Sequence, residues 1–186
     1  MVGIGTKLTL EEFLALPDGD LYYEFVDGQA VPKVSPKFFH SSLQGALYRL
    51  IGTWCRGRGR IVLEWAILLK RKGKDWASVP DLTYISYERL PKSWRRNEAC
   101  PAIPELAIEI ISPDQSMKEF EEKAKDYLVA GVPRVWVIDP ELILIRSFFP
   151  DGSSQVYTDR MAIADELLPG LDLTTRLIFE EAQLID

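Results

Sequence analysis

A mixed α/β fold is expected, and three patterns predict it. A strand–helix–strand unit over 105–139 requires a right-handed parallel crossover. Hairpin signals flank that unit, so antiparallel pairs should join the same sheet. Two capping boxes, Thr9 with Glu12 and Ser116 with Glu119, open helices on either side of the strand-rich middle.

In chain order, Thr9 caps a short helix that Pro17 ends. Tyr22–Val26, Asp27-Gly28 and Gln29–Val34 read as a hairpin with a type I′ turn. Ser35-Pro36 suggests a cap followed by proline at the first helical position. Leu43, Ala46, Leu47, Leu50, Ile51 and Trp54 then recur at helical spacing, and the stretch Gly57–Arg60 ends the helix. Strands are expected at Ile61–Lys70 and Val79–Ser86, with a polar turn at Lys72–Asp75, and 90–104 reads as a loop. Glu105–Ser112 carries Leu106, Ile108 and Ile110 on one face and Ala107, Glu109 and Ile111 on the other. Apolar residues on both faces place that strand centrally in its sheet. Met117, Phe120, Ala124, Tyr127 and Leu128 form a helical stripe that Gly131 stops. Val135–Asp139, Leu142–Phe149 and Gln155–Thr158 complete the strands, with Asp151-Gly152 as a turn. The tail from Ala162 carries weak signals.

Composition narrows the function. The 186 residues are 47% hydrophobic and 27% charged, which excludes a disordered chain. The net charge of −6 excludes a globally basic nucleic-acid coat, but it hides an asymmetry. Residues 56–74 hold seven basic residues and one acid, Glu64, whereas 159–186 hold seven acids and two basic residues. No apolar run approaches the roughly 20 residues that span a bilayer. Residues 1–16 lack a basic region followed by an apolar one, so no secretory signal is expected. Cys55 and Cys100 stand apart without zinc spacing and read as reduced, buried thiols of a cytoplasmic protein. No phosphate-binding or dinucleotide glycine motif is present, so no nucleotide cofactor is expected.

The chemistry lies in acids at unfavourable places. Glu109 sits inside the most apolar strand, and Asp81 follows Pro80 at a strand start. Carboxylates are seldom buried without partners. Two of them aimed at one cleft make a hard-oxygen site suited to Mg²⁺. Lys123 belongs to the same level. Glu109 lies three residues below the end of its strand, about 10 Å at strand rise. Lys123 lies seven residues along the returning helix, about 10.5 Å at helix rise.

These residues carry a resemblance. Pro80-Asp81 followed by Glu109-Ile110-Ile111 is similar to the PD-(D/E)XK nuclease signature. The wider pattern resembles the Uma family of restriction-endonuclease-like proteins. It includes Tyr23–Gly28, His40, Val79–Leu82, Ile108–Asp114, Glu122-Lys123, Tyr127, Gly131-Val132 and Val135–Pro140. One departure stands out: the lysine two places after the acid is Ile111 here, and the resemblance with the level argument transfers its role to Lys123.

The resemblance implies one restriction-endonuclease-like domain over 1–186 and hydrolysis of DNA phosphodiesters with Mg²⁺ or Mn²⁺. Asp81 and Glu109 would bind metal, Lys123 would position water, and Glu24 would be an accessory acid. A homodimer is expected because cutting a duplex takes two active sites. His40 and Gln44, one turn apart on one helix, are candidate accessory residues. Arg58, Arg60, Arg71 and Lys72 are candidates for contact with the DNA backbone.

Each residue also has a plainer reading. Asp81 can face solvent at a strand start, Glu109 can lie on a half-solvated face, and Lys123 can pair with Glu119 one helical turn back. Glu24 can be a cross-strand partner, His40 a packing residue, and the basic residues solubilising charge. On that reading the chain is a DNA- or protein-binding module without chemistry.

Overall fold

The hairpin at Asp27-Gly28 forms as expected in the computed structural model, which describes residues 7–16, 23–33, 35–113 and 115–186. Features expected at Pro17, Tyr22, Val34 and Asp114 lie outside the described residues. Helix α1 (Leu10–Leu14) precedes hairpin strands β1 (Tyr23–Val26) and β2 (Gln29–Pro32). Asp27 and Gly28 both take positive φ, 52° and 83°, which a type I′ turn requires. Helix α2 (Phe38–Trp54) leads into β3 (Gly59–Leu63), β4 (Ile67–Arg71), β5 (Lys74–Ser78), β6 (Leu82–Ser86) and β7 (Leu106–Ile110). Helix α3 (Met117–Val129) connects to β8 (Arg134–Asp139), then β9 (Leu144–Phe148), β10 (Ser154–Thr158) and α4 (Thr175–Glu181).

The strands make two sheets. One is antiparallel in the order β2-β1-β5-β4; the other is mixed in the order β10-β9-β8-β7-β6-β3. The expected parallel crossover is the β7–α3–β8 unit, and β7 is buried along its whole length. Its two faces serve two cores. Leu106, Ile108 and Ile110 pack with Leu43, Leu47 and Ile51 of α2 and with Ile178 and Phe179 of α4. Ala107 and Ile111 pack with Phe120, Ala124 and Tyr127 of α3.

Both capping boxes close as expected, at Thr9/Glu12 and Ser116/Glu119. Gly131, at φ 99°, ends α3 in a Schellman motif. Its N–H donates to Leu128 O and the Val132 N–H to Tyr127 O.

Four expectations need correction. Helix α2 starts at Phe38, not Pro36, and its N-cap Lys37 makes no side-chain capping bond. Leu142 lies outside β9, because Ile143 takes a positive φ of 50°. The tail contains α4, capped by the Thr174 side chain on the Leu177 N–H.

The fourth correction positions the site. The strand expected at 61–70 is broken at Glu64–Ala66, and the one expected at 79–86 starts only at Leu82. Strand β5, which was not expected, begins within the turn read at 72–75 and ends before the irregular stretch Val79–Asp81. Together β3–β4 and β5–β6 form one long antiparallel hairpin that crosses from one sheet to the other. Leu63 pairs with Leu82, Ile67 pairs with Ser78, and the three residues between on each arm leave the ladder. Glu64 takes φ 47° at the break. Local hydrophobic pattern runs through both arms, so composition does not reveal the kink. Leaving the ladder frees backbone groups that must find other partners, and polar side chains supply them.

Candidate active site

A cavity of about 210 Å³ opens at this kink. Seven charged or titratable side chains line it: Glu24, Lys33, His40, Glu64, Asp81, Glu109 and Lys123. They come from β1, the segment after β2, α2, both arms of the broken hairpin, β7 and α3.

Asp81 is tied down from three sides. Its Oδ2 accepts from the Ile110 N–H at 2.7 Å and lies 3.0 Å from His40 Nε2. Its Oδ1 accepts from Lys33 Nζ at 2.9 Å. Lys33 also donates to Glu64 Oε2 at 2.7 Å and to the freed Val79 carbonyl at 2.8 Å. Gln44 donates to Glu64 Oε1 at 2.9 Å and to the Asp81 carbonyl at 3.0 Å. The polar face of α2 therefore closes one side of the break.

Glu109 and Glu24 share Lys123, whose Nζ is 2.9 Å from an oxygen of each. The Tyr127 hydroxyl donates to Glu109 Oε1 at 2.7 Å. Glu24 Oε1 also accepts from the freed Val79 N–H at 3.0 Å and from Ser78 Oγ at 3.1 Å. Each acid thus doubles as a partner for the broken ladder or for a cation.

Burial sets the electrostatics. It pushes the Glu109 carboxyl up to about 7, because desolvation and the nearby Asp81 and Glu24 charges outweigh Lys123. Burial opposes ionisation of Asp81 as well, but His40 and Lys33 hold its carboxyl far below the usual range. Glu24 likewise lies below its usual value despite burial, through Lys123 and the Val79 N–H. Desolvation would lower both ammoniums, yet the acids around Lys33 and Lys123 raise them, so both stay charged. Two carboxylates close by, one firmly ionised and one near neutrality, are the sort of split that acid–base sites use.

The plainer readings of these residues fail geometrically. Glu119 spends its carboxylate on the Ser116 cap, and Lys123 turns into the cavity instead. The register partner of Glu24 is Val31, an apolar residue. Glu109 and Asp81 are each 3% exposed, so neither faces solvent from a half-open sheet.

The cavity unites Asp81, Glu109, Lys123, Glu24 and His40; Gln44 does not line it but donates to Glu64 and to the Asp81 carbonyl behind it. Arg58, Arg60, Arg71 and Lys72 do not line it. Arg58 donates to the Pro169 carbonyl and covers Trp54; Arg60 donates to the Pro91 and Trp94 carbonyls. Arg71 pairs with Asp126 and Asp27, while Lys72 stands at the β4–β5 turn.

Sequence reasoning misses Lys33 and Glu64. Lys33 follows a hairpin strand and has no local signal. Glu64 had one, as the single acid within a basic stretch.

A family model for Uma2, described as "Putative restriction endonuclease", matches residues 10–176. The chain belongs to the Uma2 family. Among solved structures, this Uma2 chain is similar to "a putative nuclease belonging to DUF820 from Anabaena variabilis ATCC 29413". The TM-score is 0.80 at 24% identity, over 94% of this chain and 99% of that one. At this identity the likeness shows the shared fold, which is restriction-endonuclease-like. No curated protein matches the chain. No helix among the described residues is long and apolar enough to cross a membrane.

Proposed function

We propose that this Uma2 chain is a divalent-metal-dependent nuclease that hydrolyses phosphodiester bonds of DNA. One observation carries the reading: Asp81, Glu109, Glu24 and Lys123, distant in sequence, converge on one cavity. Among the described residues no three or more metal-ligating side chains are gathered to hold an ion, so the fit rests on the pair Asp81 and Glu109. Mg²⁺ is a hard cation commonly held by one or two carboxylates. Four carboxylates face two ammoniums there, and the surplus of two negative charges equals what one Mg²⁺ or Mn²⁺ would cancel. Burial raises the Glu109 carboxyl, with the Asp81 and Glu24 charges adding to it, and a divalent cation bound beside it would favour its ionised form.

Asp81 and Glu109 would hold the metal through their carboxylate oxygens. The metal, when bound, would lower the pKa of a water and offset charge developing on phosphate. The chain's own groups do the rest. Lys33, His40 and the Ile110 N–H fix the Asp81 carboxylate in one orientation. Tyr127 and Lys123 do the same for Glu109 Oε1. Lys123 stays protonated and can hold an attacking water or a phosphate oxygen. This assigns Lys123 the role of the signature lysine absent at position 111. Glu24 sets where the Lys123 ammonium sits.

Purified protein incubated with plasmid and Mg²⁺ or Mn²⁺ is expected to nick or cut it, and EDTA to stop the reaction. Full cleavage by Asp81→Asn or Glu109→Gln would sink the assignment. No metal uptake at millimolar Mn²⁺ in a calorimeter, with DNA still bound, would favour the binding-module reading.

A further inference from the structure

The first two residues of α2 pose a separate problem. Phe38 is 69% exposed and Phe39 is 51% exposed, although Leu43, Ala46, Leu47 and Ile51 of the same helix are buried. Exposing two adjacent phenyl rings wastes the burial that aromatic side chains otherwise supply. Their centroids are 5.9 Å apart with planes tilted by 59°, so they do not stack face to face.

The rings line a groove of about 310 Å³ with Lys37, Ile111, Pro113 and Met117. That groove adjoins the acidic cavity, since His40, Ser112 and Gln115 line both. Two acids also border it. Asp139 spends its Oδ1 on the N–H groups of Glu141 and Leu142, and Glu141 faces solvent.

We infer that Phe38 and Phe39 form a stacking platform for an unpaired nucleobase, which makes single-stranded DNA the substrate class of the adjoining cavity. The inference rests on the nuclease reading for the chemistry of its ligand. Every base offers a π-face, so two phenyls beside a phosphate-handling cavity bind a strand without reading its sequence. Within a duplex those faces are covered by neighbouring bases, and only an unpaired or extruded base presents one. Lys37, preceding the rings in the same groove, supplies a positive charge for the backbone of that strand. One active site suffices for one strand, so no dimer is needed for this substrate.

Fluorescence anisotropy in EDTA tests the platform without cleavage. The probes are a labelled twelve-residue oligothymidylate, an abasic strand of equal length and a twelve-base-pair duplex. The thymidylate is expected to bind about tenfold tighter than the other two. Phe38→Ser and Phe39→Ser should each lose about that factor for thymidylate alone, with the melting temperature unchanged. Equal binding of thymidylate and abasic strand overturns the inference. So does light scattering that gives a dimer in the wild type and a monomer in the double variant, because a second copy then covers the rings. Cleavage with Mg²⁺ separates the two claims. Equal cutting of single strand and duplex removes the platform's role and leaves the nuclease standing. Selective thymidylate binding with no cutting under Mg²⁺ or Mn²⁺ keeps the platform and removes the nuclease.

Discussion

Two buried charge clusters in this chain have opposite characters. Arg134 and Asp165 form a closed pair: the guanidinium grips the carboxylate through two nitrogens and lies 4.2 Å from the Phe149 ring centre. Asp165 Oδ1 also takes the Leu167 N–H, so one cation meets one satisfied anion. The acidic cavity brings together Glu24, Glu64, Asp81 and Glu109 with Lys33 and Lys123, and opens to solvent. Buried pairs contribute little net stability unless their geometry is good, and the Arg134 pair has that geometry. The cavity keeps more acids than cations, although Glu24 and Asp81 also accept from the Val79 and Ile110 N–H groups. A balanced cluster suits the fold, and on the nuclease reading proposed above the unbalanced one beside a cavity serves a ligand.

Neutralising each cluster should separate the two roles. Asp81→Asn or Glu109→Gln is expected to cut DNA cleavage at least a hundredfold, roughly what removing one key electrostatic group costs. Steady-state cleavage assays read this. Arg134→Met should retain cleavage but lose about 3–5 kcal/mol of stability, since it strands Asp165. Urea unfolding measures that loss. Equal stability losses in both clusters would erase the distinction.

The pH dependence sharpens it further. Glu109 titrates near 7 in the folded chain, against 4.5 for an unperturbed glutamate. Its protonated form therefore stabilises the fold below pH 4.5, and that contribution disappears as pH rises to 7. In EDTA, wild type should lose up to about 3 kcal/mol relative to Glu109→Gln across that window and stay level above it. Asp81 acts in the opposite sense, because its lowered pKa gives stability that is lost only as pH falls below 3.8. Parallel unfolding curves for wild type and Glu109→Gln would show that Glu109 is not strained.

Most features that follow the sequence are encoded locally, although the Ser35-Pro36 cap does not form and the parallel β7–α3–β8 crossover does. Thr9/Glu12 and Ser116/Glu119 cap their own helices, and Asp27-Gly28 dictates its turn by backbone conformation. Glu109 was legible because an acid in an otherwise apolar strand conflicts with burial, and Lys123 because rise per residue levels it with Glu109. Lys33 is not legible, and Glu64 is marked only as the single acid of a basic stretch, since the two meet only where a long hairpin breaks. That break depends on a positive φ at Glu64, and no neighbouring glycine announces it. Helix α4 escaped because its seven residues are held by packing on α2 more than by their own pattern.

Lys33 gives the next test in size. Its ammonium already bridges Asp81 and Glu64, so it competes for the acids a metal needs. Lys33→Met should tighten Mn²⁺ binding about tenfold in calorimetry, in line with removing a like charge a few ångströms away. Unchanged affinity would place the metal away from Asp81.

The smallest effect concerns the basic residues outside the cavity. Lys72 has no ion-pair partner among the described residues, whereas Arg58 is committed to Pro169 and Trp54. Lys72→Ala should lower the salt dependence of DNA binding by about one unit of slope, as expected for one phosphate contact. Arg58→Ala should leave it unchanged. The reverse result would move the DNA path to the other face.

On the proposed function, the surplus acid at the hairpin break binds a divalent cation. A crystal soaked in millimolar Mn²⁺ and measured at the manganese edge tests it most directly. The account predicts an anomalous peak touching both Asp81 and Glu109. Full-occupancy manganese elsewhere, or none in the cavity, would contradict it.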